Sequence, residues 1–85
     1  MPRYYFHSVH DGREHDRDGV ELTDDTAAQG VAVAFLGEFL RDDPHQLWER
    51  GTLRVEVTNE LGVLLWTLLA LTIDAPRPGP RLVPV

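Results

Sequence analysis

Residues 52–73, TLRVEVTNELGVLLWTLLALTI, constrain the fold more than any other part of the chain. Thr52–Thr58 alternates cleanly: Leu53, Val55 and Val57 point one way, and Arg54, Glu56 and Thr58 the other. A period of two is the signature of a half-buried strand. Asn59-Glu60-Leu61-Gly62 then has the composition of a tight connection, with Gly62 suited to a left-handed position. Val63–Ile73 follows as a second strand without a single charge. It is apolar on both faces, which predicts a central strand or one covered on both sides. The segment is an antiparallel hairpin, and its apolar face needs a second layer.

A helix supplies that layer. Thr23-Asp24-Asp25 can cap a helix start and place acids at the positive end of its dipole, and Pro44 stops the helix soon after about Arg41. On a wheel, Ala28, Val31, Ala32, Phe35 and Phe39 form the stripe that should face the sheet. Near the N-terminus Arg3–Val9 reads as a strand, with Tyr4, Phe6 and Ser8 on one face and Arg3, Tyr5, His7 and Val9 on the other. His10–Gly19 is a polar turn region holding two Asp-Gly pairs, and Val20–Leu22 is a short returning strand. His45–Arg50 is expected to be a connection of one helical turn, pinned to the core by Trp48. Residues 1–75 should form a single α+β domain: an antiparallel sheet of three to four strands with one long helix on one face, in the order β(β)αββ. The first strand is expected beside the last. Phe6, Val31, Phe35, Phe39, Val55 and Trp66 are the expected core. Residues 76–85 are too rich in proline for a regular ladder and read as an extended, solvated tail.

Composition excludes several function classes. There is no cysteine, hence no disulfide framework, thiolate metal site or cysteine nucleophile. The net charge is −6, and all eight basic residues are arginines scattered along the chain. Nucleic acid is therefore not an expected partner, because phosphate binding needs clustered cations. No signal-peptide pattern is visible, and the longest apolar run, Val63–Leu71, is too short to span a bilayer. The expectation is a cytoplasmic protein without a membrane partner.

The opening stretch, PRYYFHSVHDGREHDRDGVEL, carries the residues with chemical potential. His7, His10, His15, Asp11 and Asp16 are suitable donors for zinc, nickel or copper. Their spacing matches no compact zinc motif, and a solvated turn that protects a sheet edge accounts for the same residues. His7 and Ser8 lie on opposite faces of their strand, so they cannot form a nucleophile–base pair. No phosphate loop, HExxH or GxSxG occurs, and a small open sheet with one helix should offer little pocket volume. Neither catalysis nor a cofactor is expected.

MPRYYFH, Asp11-Gly12, DGVEL and RVEVTNELGVLLWTLL together resemble a group of small bacterial proteins, the family of domain of unknown function 6894. The resemblance covers Pro2–Asp74. It implies no activity, cofactor or catalytic residue. The chain departs from that family in its helix: where arginine and glutamate are usual on the outer face, it has Gly30, Val33, Ala34, Gly37 and Leu40. Two interior glycines cost a helix about 1 kcal/mol each, which close approach of another backbone would offset. The expected function is a small acidic, soluble, non-enzymatic module that self-associates or regulates a protein partner, forming a homo-oligomer through Gly30, Val33, Gly37 and Leu40. The alternative is a metal-binding protein using the His7–Asp16 region, with candidate ligands His7, His10, His15 and Asp16. A small-ligand binder or enzyme is a third option.

Overall fold

A computed structural model describes residues 1–9 and 13–82 of the chain. The elements are β1 (Arg3–Val9), β2 (Arg13–Glu14), β3 (Val20–Glu21), α1 (Asp25–Asp42), α2 (Pro44–Arg50), β4 (Thr52–Thr58) and β5 (Leu64–Leu71). The fold is α+β, with an antiparallel sheet in the order β2-β1-β4-β5. β3 also pairs with β1, so β2 and β3 share one side of it in turn.

The first strand does not lie beside the last. The helical crossover returns β4 to the side of β1, with Tyr5 opposite Thr58 and Val9 opposite Arg54. The tight turn after Thr58 then has only one free side left for β5, which becomes an edge strand. That turn is organised by Asn59, whose Oδ1 accepts the N–H groups of Leu61 and Val63, and Gly62 takes φ +76°. Trp66 faces Val57 while Leu64 faces Thr58, so Leu65 is the extra residue of a β-bulge.

α1 begins at Asp24, whose side chain accepts the Ala27 N–H at 2.9 Å. The connection after it is a full second helix rather than one turn. Pro44 supplies the first position of α2, where its missing N–H costs nothing, and Gly51 ends it at φ +81°. Trp48 does not pin α2 to the core: it is 69% exposed, and α2 turns the half-buried Leu47 inward instead.

The core contains Tyr4, Phe6, Ala28, Ala32, Val55 and Val57. Of the expected core residues Phe6 and Val55 are buried, whereas Val31, Phe35, Phe39 and Trp66 are only half-buried. Ala28 and Ala32 explain the difference. With side chains this small at the contact, α1 approaches the sheet closely and the bulky residues are displaced to its flanks. There Phe35 meets Phe6 and Phe39 edge-on at 6.4 and 5.0 Å, and Trp66 stacks on Tyr4 at 6.5 Å. The Tyr4 hydroxyl donates to Asp25 at the start of α1 at 2.6 Å. That bond, together with burial and the carboxylate charge, pushes the phenol up to about 12.

Gly30 and Gly37 face open space; a Cβ at either would meet nothing within 4 Å. Gly30→Ala and Gly37→Ala are each expected to stabilise the folded chain by about 0.5–1 kcal/mol, read as a higher urea midpoint. Residues 74–82 are exposed and carry neither helix nor strand. Among the described residues no helix is long and apolar enough to cross a membrane.

Candidate functional site

β1 has ladder partners at both ends on one side, Arg3–Tyr4 with β3 and Ser8–Val9 with β2. Tyr5, Phe6 and His7 lie between, opposite the loop that interrupts the returning strand. Asp16 from that loop takes over the ladder's role. Its Oδ2 accepts the Phe6 N–H at 3.1 Å, and its Oδ1 accepts the N–H groups of Asp18 and Gly19 at 3.0 and 3.1 Å. Burial raises the Asp16 pKa, but these three N–H donors outweigh it and hold the carboxyl below its ordinary value. In return the Asp16 N–H donates to Nδ1 of His7 at 3.0 Å. An Nδ1 that accepts must carry the proton on Nε2, which donates to Thr58 Oγ1 of β4 at 2.9 Å. His7 is 9% exposed.

Gly19 is obligatory in this loop. It sits at φ +68°, and a Cβ there would lie 2.8 Å from the Tyr5 ring and 2.9 Å from the Tyr4 carbonyl oxygen. Arg3 closes the loop from outside, donating to the Asp18 carbonyl at 2.8 Å and pairing with Glu21 at 3.1 Å.

Two of the candidate metal ligands, His7 and Asp16, are thus tied into the sheet. Both nitrogens of His7 and both carboxylate oxygens of Asp16 already hold hydrogen bonds. The His15 ring lies edge-on to His7 at 5.4 Å. His10 and Asp11 lie outside the described residues. Among the described residues no group of three or more histidine, aspartate or glutamate side chains could hold a metal ion. Zinc or nickel is expected to leave the melting temperature unchanged; a rise that His15→Asn abolishes would establish a metal site.

Two open clefts flank the loop. One, of about 430 Å³, lies on the helix face between Phe6, Val31, Phe35 and Phe39, with Ser8 and Glu14 at its polar side. The other, of about 390 Å³ on the opposite face, is lined by Tyr5, His7, His15, Glu56, Thr58 and Glu60. The expectation of little pocket volume does not hold, because the interrupted strand and the loop leave space on both faces of β1. Ser8 shares the helix face with Phe6, and its hydroxyl meets Glu14 at 3.5 Å. His7 lies on the other face, so Ser8 and His7 form no nucleophile–base pair.

β1 and β4, the opening strand and the first strand of the hairpin, stand at the middle of the sheet. The chain belongs to the family described as domain of unknown function (DUF6894). The match runs over residues 3–72, from the first residue of β1 to just past β5. Neither a curated protein nor a solved structure matches. The proline-rich tail lies beyond the DUF6894 match.

Within this DUF6894 domain the residues singled out on the helix remain at the surface. Gly30 and Gly37 are exposed, Val33 is 63% exposed and Leu40 is half-buried. A second apolar surface lies on the far side of the sheet. Leu64, Leu69 and Leu71 of β5 are 51, 52 and 49% exposed. They share the sheet face of Thr58, Arg54 and Thr52, opposite to the helix. The signal for it was present in residues 63–71, whose second apolar face one helix cannot cover.

Proposed function

We propose that the chain is a cytoplasmic, non-enzymatic protein-interaction module that works by self-association. The observation carrying this reading is the bare leucine surface of β5. α1 packs on one side of the sheet, and nothing among the described residues packs over Leu64, Leu69 and Leu71 on the other. Apolar patches left open on a small domain usually mark a contact surface. A small core supports the same reading, since a chain of 85 residues gains from burial shared with a partner.

Two surfaces compete for the contact: β5, and the helix face of Gly30, Val33, Gly37 and Leu40. Light scattering at high micromolar concentration separates them. The wild type is expected to be larger than a monomer. Leu69→Glu with Leu71→Glu should give a folded monomer, because charges at the contact oppose docking, while Val33→Glu with Leu40→Glu should leave the assembly intact. The reverse pattern would move the contact to the helix face, and a monomeric wild type would refute self-association.

A further inference from the structure

Resting on that self-association, we infer that two copies of this chain join β5 to β5, antiparallel and edge to edge, into one continuous sheet that closes at a dimer. β5 is an eight-residue strand at the end of the sheet, bonded to β4 on one side only. Its outer row of N–H and C=O groups has no partner among the described residues. Sheet edges of this kind are ordinarily guarded by charge, proline or brevity. β5 has none of these: Leu64–Leu71 reads LLWTLLAL, and the prolines begin only at Pro76.

The opposite edge is guarded in every one of those ways except proline. β2 and β3 are two residues each, a loop separates them, and Glu14, Asp16, Arg17, Asp18 and Glu21 charge it. One open edge and one closed edge permit a two-fold dimer and no further growth.

Charge and shape select a second copy as the occupant. The chain carries −6, so two copies repel wherever acidic surfaces meet, and an uncharged strand is the contact that avoids this. Pairing about Leu68 is also self-complementary. It sets Trp66 opposite Ala70 of the other copy, large against small on the helix face, and Thr67 opposite Leu69 on the outer face. Leu65, Trp66 and Leu68 are half-buried at the open end of the core, and the same residues of the second copy would cover them.

The absence of native cysteine makes the register directly testable. Leu68→Cys places two thiols opposite each other across the two-fold axis, within reach of a disulfide. Mild oxidation is expected to give a covalent dimer with Leu68→Cys and none with Val33→Cys. Because Leu68 packs against the core, the exposed Thr67→Cys carrying a nitroxide provides an independent reading. Its spectrum should be dipolar-broadened at concentrations where light scattering shows a dimer, and should sharpen when labelled chain is diluted into unlabelled chain. A dimer with neither the disulfide nor the broadening would overturn edge pairing and leave self-association standing. A wild type that stays monomeric would overturn both, and particles larger than a dimer would overturn the closed two-fold.

Discussion

Phe6→Ala is expected to remove about 3–5 kcal/mol of folding free energy, the range for emptying a buried aromatic site. Phe6 lies in β1 opposite Val57 and contacts Phe35 of α1, so its ring joins both layers of the domain. The neighbours cannot collapse into the space. Val55 and Val57 are fixed by ladders on both sides of β4, and Ala28 and Ala32 already hold α1 close to the sheet. A domain of this size has a total stability on the order of 4–13 kcal/mol, so the loss removes a large share of it. Urea unfolding followed by circular dichroism checks this. A loss below about 1 kcal/mol would mean that the Phe6 ring does not occupy the core.

Asp16→Ala should produce the second largest loss, about 2–3 kcal/mol, although the residue lies in a polar loop where substitutions usually cost little. The loss comes mainly from the Phe6 N–H, which sits between two ladder segments and has the Asp16 carboxylate as its acceptor. The Asp18 and Gly19 N–H groups can turn to water and add less. Asp16→Asn should fall between wild type and Asp16→Ala, because an amide retains one acceptor oxygen but cannot serve all three donors. The pH dependence has a definite sign. The folded pKa of Asp16 lies below its unfolded value, so its contribution is complete above the unfolded value, near 3.9, and disappears as pH falls through the folded one. Urea midpoints measured from neutral to acid pH should therefore show wild type and Asp16→Ala converging below about pH 4. A gap that persists unchanged into strong acid would exclude the charged carboxylate as its source.

The parts of the fold that sequence discloses are those in which one local pattern has one physical cause. In Thr52–Thr58 charges alternate with apolar residues, and only a half-buried strand makes use of that. Asp24 before an apolar stripe marks a helix start because its side chain serves the N–H groups there. The last strand is different, since a run apolar on both faces has two causes. It results from burial on both sides, or from burial on one side and a contact surface on the other. Leu69 and Leu71 lie on the uncovered face, and residues 63–71 alone do not distinguish the two. The helical stripe puts Ala28 and Ala32 on the face that meets the sheet, but that small side chains draw the helix in and leave Phe35 and Phe39 at the flanks depends on packing distance. The role of Asp16 was still further from view. Its partners Phe6 and His7 are ten and nine residues away and meet it only once the returning strand has been interrupted.

The pairing of β1 with β4 also determines the order in which the molecule can be completed. β4 and β5 are joined by a short turn, and α1 needs only its own residues to form. β1 precedes the other strands of the domain, yet its main neighbour lies far along the chain; His7 and Thr58 are 51 residues apart. As the chain leaves the ribosome, β1 can pair only with the two-residue strands β2 and β3 until β4 has emerged. The helices and the hairpin can assemble early, and insertion of the N-terminal strand is the late, entropically costly step that closes the sheet. Until that step the nascent chain presents an aromatic strand beside an unfinished sheet.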